Sequence, residues 1–170
     1  MTLITTVGGA TSNSYVDIAY ADEYMLSRVG ATAWADLEDS AKEAHILTAM
    51  RQIEVTIWNG TKLNRTTQSL NWPRLGLYDW DANVLKDIPD KLKQAIMEFV
   101  FWTLTEGDRF VSDTDVQQIS SFSAGPLDVT LAPGAVFFPP MVEQLLFALG
   151  PGVINRAPSQ STTYPVSFRI

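Results

Sequence analysis

The chain has 170 residues, 46% of them hydrophobic and only 18% charged, enough for one domain with a real core. It has no cysteine and one histidine, which excludes disulfides, thiolate nucleophiles and metal sites built on cysteines or histidine pairs. The formal net charge is -7 and the pI about 4.6, the wrong sign for a surface that grips nucleic acid by releasing counterions.

The first dozen residues are small and polar and read as extended; they lack the basic start and apolar core of a secretory signal. Asp17 is placed to cap a first helix from Ile18 to about Val29, stopped by Gly30, with Ile18, Ala21, Met25 and Val29 on one stripe. Asp39 or Glu38 opens a second helix reaching about Trp58. Its apolar positions Ile46, Met50, Ile53 and Ile57 share one face, and Asn59-Gly60 supplies the stop. From Thr61 to Asp87 the periodicity disappears, and Trp72, Pro73, Gly76, Tyr78 and Trp80 read as a long ordered loop pinned by aromatics. Loops of this length inside a domain usually have work to do.

Pro89 suits the first turn of a third helix ending near Glu106. Leu92, Ile96, Phe99, Val100, Phe101, Trp102 and Leu104 make it apolar almost all round, the mark of a buried central helix. The longest apolar run, Ala95 to Leu104, is broken by Glu98 and is far shorter than the ~18 residues of a membrane span, so a soluble protein is expected. Residues 116–131 change character: Leu127, Val129 and Leu131 alternate with polar residues after Gly125-Pro126, predicting a β-hairpin. Pro139-Pro140 starts a fourth helix carrying Val142, Leu145, Leu146 and Leu149, closed by Gly150-Pro151-Gly152. The fold class expected is therefore mainly α, a small bundle of about four helices with a hairpin. The domain spans 1–152, and 153–170 form an extended tail that can be removed without unfolding it. Tyr164, Val166 and Phe168 alternate in that tail, the pattern of a strand that adds to the hairpin or to a neighbour.

The search for chemistry returns little. His45 lies in the second helix and reads as a surface or structural residue; no nucleophile elbow and no phosphate-binding glycine loop is present. Asp79, Asp81 and Asn83 have the alternating oxygens that begin a calcium loop, without its glycine and closing glutamate. Asp108, Asp113 and Asp115 surround a predicted turn. Both clusters read as solvated loop carboxylates. No catalytic role, cofactor or metal is expected. The charges are segregated: Asn59 to Tyr78 carries Lys62, Arg65 and Arg74 and no acid, whereas Asp17 to Glu43 and Thr103 to Glu143 are each acidic. If folding places them on opposite flanks, copies can pack head to tail, and such a contact closes into a ring when the rotation fits. If folding mixes them, nothing follows.

At the long loop the sequence resembles a known pattern. The strings Trp58-Asn59-Gly60-Thr61-Lys62, Gln68-Ser69-Leu70-Asn71-Trp72-Pro73-Arg74-Leu75-Gly76 and Asp79-Trp80-Asp81 are similar to those of head-to-tail connector, or adaptor, proteins of tailed phages. Asn13-Ser14-Tyr15-Val16, Trp34, Ala41-Lys42-Glu43-Ala44, Ile88-Pro89 and Gly125-Pro126-Leu127-Asp128-Val129 fall in the same order, so the likeness covers residues 13 to about 149. The resemblance implies a helical subunit of a ring, usually of twelve copies, docked beneath the portal protein and joined to tail or head-closure components. It implies a virion neck location, with the host cytoplasm as the site of assembly. Double-stranded DNA would pass through the channel without being held.

Sequences of this kind also carry the label of DnaT-like single-stranded-DNA-binding proteins, a second reading whose best residues are Lys62, Arg65 and Arg74 beside Trp58, Trp72 and Tyr78. On the adaptor reading, Trp72 and Pro73 lock the loop to the core. Lys62, Arg65 and Arg74 are then expected at subunit or partner contacts, together with Tyr164, Val166, Phe168 and Ile170 of the tail.

Overall fold

The computed structural model of the chain describes residues 2–106, 121–124, 127–130 and 138–155. Its elements run α1 (Ile18–Leu26), α2 (Thr32–Ala35), α3 (Asp39–Glu54), β1 (Thr61–Lys62), β2 (Arg74–Leu75), α4 (Asp90–Glu106), β3 (Ser121–Ala124), β4 (Leu127–Thr130) and α5 (Pro140–Phe147). The chain is mainly helical, as its periodicity predicts, with β1 paired to β2 and β3 to β4, both antiparallel. The β3–β4 register sets Ser121 opposite Thr130 and Ala124 opposite Leu127, inside the span where a hairpin is expected.

Asp17 caps α1, its Oδ1 accepting from the Tyr20 N–H at 2.8 Å. The helix stops at Leu26, a turn short of expectation. Ser27 Oγ donates to the Tyr24 carbonyl, and Arg28 turns inward to Glu98. Val29 therefore leaves the stripe and stands 87% exposed. The four-residue α2, too short to show a period, was not visible in the sequence.

The second long helix, α3, also ends early. Val55, Thr56 and Ile57 are β-branched and lose side-chain freedom in a helix. The Glu54 carbonyl is taken by the Asn71 side-chain amide at 2.9 Å. Ile46, Met50 and Ile53 are buried as expected, but Ile57 lies beyond the helix and is 66% exposed. Gly60 stops no helix; it serves the β1–β2 hairpin. Its φ is +71°, and a Cβ there would lie 2.4 Å from the Leu75 carbonyl oxygen.

The central helix is α4. Leu92, Ala95, Ile96, Met97 and Val100 are wholly buried, Phe99 nearly so, and α1, α3 and α5 pack around them. Glu98, the break in its apolar run, is buried in a charge cluster. Arg28 grips it with Nε to Oε1 at 2.8 Å and Nη2 to Oε2 at 3.1 Å, and the Tyr24 hydroxyl donates to Oε1 at 2.8 Å. His45 joins α3 to α4. The Thr103 hydroxyl spends its hydrogen on the Val100 carbonyl, so it accepts from His45 Nδ1 at 2.9 Å.

The segment expected to be a tail begins inside the core. Val153 is wholly buried, and Ile154 bridges to Trp58. Asn59 N–H donates to the Val153 carbonyl at 3.0 Å, and Asn155 N–H to the Ile57 carbonyl at 2.8 Å.

Candidate functional site

The loop from Trp58 to Asp87 is built outward from the end of α3. Glu54 Oε2 accepts from the Asn71 N–H at 2.9 Å, and the Tyr15 hydroxyl donates to Oε1. The Tyr15 oxygen in turn accepts from the Trp72 N–H at 2.9 Å. Burial raises the Glu54 carboxyl above its ordinary range, while the bonds from Tyr15 and Asn71 and the charges of Lys62 and Arg74 pull it back. Burial, then Glu54, raises the Tyr15 phenol.

On this footing Trp72 is 1% exposed and meets Trp58 edge-on, ring centroids 5.5 Å apart. The Trp72–Pro73 peptide is cis. The Pro73 carbonyl accepts from Leu63 N–H at 3.0 Å and from the buried Gln68 side chain at 3.1 Å, closing the hairpin onto itself. Trp72 and Pro73 thus sit inside the domain. Their neighbour Arg74, expected at an interface, turns inward as well. Its guanidinium donates to the carbonyls of Asn59 (2.6 Å), Gly60 (2.9 Å), Asn71 (3.2 Å) and Trp58 (3.2 Å), stitching both arms of the loop. Most of its donors are used within the chain, which the sequence alone could not show.

Lys62 is half-buried with Nζ 3.4 Å from the Ser69 carbonyl, whereas Arg65 is exposed at the hairpin. The structure therefore separates Lys62, Arg65 and Arg74 into a partly satisfied charge, an outward one and an internal staple, in that order. Tyr164, Val166, Phe168 and Ile170 lie outside the described residues, as do Asp108, Asp113 and Asp115.

The second arm of the loop turns outward. Tyr78 and Val84 bridge to each other, both about half exposed, while Leu77 beneath them is buried. Asp79 shapes the turn between them. Its Oδ1 accepts from the N–H groups of Asp81 and Asn83 at 2.9 and 2.8 Å, and Oδ2 from the Asn83 amide at 3.0 Å. Those bonds, Asn83 first, hold its carboxyl below the usual range. The apparent calcium-loop spacing is thus a turn cap, and among the described residues no group of three or more His, Asp or Glu could hold a metal. Trp80 reaches to α5, its ring 5.0 Å from Phe147 and its Nε1 donating to the Phe147 carbonyl at 3.1 Å.

Gly150 allows this junction. A Cβ there would lie 2.1 Å from the Tyr78 carbonyl oxygen. Tyr78, Trp80, Val84 and Phe147 are all exposed apolar side chains, Tyr78 bridged to Val84 and Trp80 set against Phe147, and the segment 78–87 carries Asp79, Asp81 and Asp87 with one cation, Lys86. Phe147 and Val84 were missed in the sequence. The signals were a tryptophan flanked by two aspartates, unfit for a core, and a phenylalanine off the Val142–Leu146–Leu149 stripe.

A cleft between Thr5–Gly9, Gln68 and Trp72 holds about 10 Å³, room for roughly one water. Among the described residues the arrangement offers exposed apolar and charged surface.

No curated protein and no solved structure matches this chain. The family model described as "Putative DnaT-like ssDNA binding protein" matches residues 1–163, and the chain belongs to that family.

Proposed function

We propose that this chain is a structural, non-enzymatic subunit of a tailed-phage neck: a head-to-tail adaptor that forms a ring with copies of itself between the portal and the tail or head-closure proteins. The observation that carries the reading is the set of exposed side chains Tyr78, Trp80 and Val84, on a loop fastened to the core by Glu54, Trp72 and Arg74, together with Phe147 at the end of α5, all about half to two-thirds exposed. Exposed apolar patches of this kind mark protein contacts. The acidic surround and the net charge of -7 suit a conduit that DNA must leave. The resemblance of the loop strings to adaptor sequences supports the same assignment.

The test is mass spectrometry and low-resolution imaging of purified phage particles. The chain is expected in several copies below the portal, and its absence from the particles would overturn the reading.

The family description favours a second reading, binding of single-stranded DNA. Its stacking candidates Trp58 and Trp72 are 6% and 1% exposed, so the bases would have to stack on Tyr78 and Trp80 with Arg65 or Lys86 as phosphate contacts. Oligonucleotide titrations at low salt decide between them. Quenching of tryptophan fluorescence that is lost in Trp80→Phe and weakens with salt supports DNA binding. An unchanged spectrum removes it.

A further inference from the structure

The two ends of the α1–α3 pair are chemically unlike, and both carry exposed apolar side chains. Tyr15, just before α1, bonds Glu54 at the end of α3, whereas Asp22 bonds Lys42 near its start at 2.9 Å. The helices are therefore antiparallel, and Lys42 and Glu54 are twelve residues apart, about 18 Å along the axis. At the far end Leu26 and Val29 project into solvent, 91% and 87% exposed, with the exposed acids Glu23, Asp36, Glu38 and Asp39 on the same α1–α2–α3 corner.

At the near end stands the β1–β2 hairpin. Thr61 opposes Leu75, Leu63 follows directly after β1, and both leucines are exposed, 45% and 51%. The charged groups at this end are the exposed Arg65 and Arg51, the half-buried Lys62 and Arg74, and one part-buried acid, Glu54 at the end of α3; the segment from Asn59 to Tyr78 itself has no acid.

We infer that the Leu26–Val29 corner of one copy docks on the Leu63–Leu75 hairpin of the next, a head-to-tail contact between identical chains. The inference rests on the adaptor reading and names its subunit contact. The occupant follows from complementarity: apolar side chains meet apolar side chains, and an acidic rim meets a basic one. The Tyr78–Trp80–Phe147 face, with its own aspartates, does not offer that match and stays available to a different protein. Because the two surfaces differ and lie at opposite ends, the contact repeats and can close only as a ring or run on as a filament.

The absence of native cysteine makes the test direct. Leu26→Cys, Leu75→Cys and the double variant are made in the full chain and oxidised at high protein concentration, after thermal melts confirm that these exposed substitutions leave the fold intact. The double variant is expected to give a ladder of disulfide-linked multimers and the mixed single variants a dimer, with each single variant alone remaining monomeric. Adding Arg65→Glu should lower the cross-linked yield about tenfold. Dimers from either single variant alone as abundant as from the mixture would show a symmetric contact and overturn the inference, and so would monomer throughout. Failure of the ladder while the chain is still found in purified particles sinks this contact alone; absence from the particles sinks the adaptor reading beneath it.

Discussion

Two side chains carry the loop. Arg74 donates to four backbone carbonyls, and a hydrogen bond from a charged donor contributes about 1.5–3 kcal/mol when its loss strands a partner. Because Arg74 is only partly buried, Arg74→Ala is expected to cost roughly 2–3 kcal/mol in urea unfolding. Arg74→Lys should recover little, since an ammonium cannot fork to carbonyls on two arms.

Glu54 gives a pH signature. Its carboxyl sits above the ordinary value of 4.5, chiefly because it is buried. In the window just above that value the folded chain holds more of this proton than the unfolded chain does. Its contribution is fully present below the unfolded value and is lost as pH rises through the folded one. Denaturant unfolding from about pH 4 to about pH 8 should show this downward slope. Glu54→Gln should flatten it relative to wild type; identical profiles would show that the carboxyl titrates as in the open chain. Neither role was legible in the sequence. A lone glutamate at the end of a helix and an arginine after Trp-Pro look like surface residues until the loop folds back over them.

Among the elements, α4 was the most legible, because an all-round apolar helix has one place to go. Even Glu98 announced itself as an acid inside that run, although its partners Arg28 and Tyr24, some seventy residues earlier, could not be named. Helix ends were less legible. Both α1 and α3 stop early because tertiary hydrogen bonds from Arg28 and Asn71 outcompete another helical turn. The segment after Gly152 lacks periodicity and so reads, from sequence, as a detachable tail. Three residues of it are docked all the same, by burial of Val153 and a bridge to Trp58. A chain ending at Asn155 should therefore melt like the full protein. One ending at Gly152 should lose about 2–4 kcal/mol, the sum expected for one buried valine and its hydrogen bonds. Equal stability of the two truncations would show that the bridge is ornamental.

At the scale of the whole molecule, charge segregation was visible in the sequence and its placement was not, because only the fold sets the acidic α1–α2 corner and the basic hairpin at opposite ends. The apolar face was half visible: the loop aromatics could be counted, but Phe147, nearly seventy residues from Trp80, is brought there by the packing of α5 on α4. A Trp80→Ser, Phe147→Ser chain is expected to keep its melting temperature within a few degrees, since surface changes typically lie near ±0.5 kcal/mol. The same chain should fail to enter phage particles in a complementation assay. Normal incorporation would relocate the partner-binding surface.

The bridge that holds Ile154 also ties the described end of the chain, Val153 to Asn155, to the floor of the aromatic loop. Ile154 and Asn155 lie beside Trp58 and Ile57, at the end of the molecule where the hairpin stands. A pull at Asn155 is met first by the strap of bonds from Asn155 to Ile57 and from Asn59 to Val153 and Gly152. Traction on that strap would reach the floor of the aromatic loop before it disturbed the central helix.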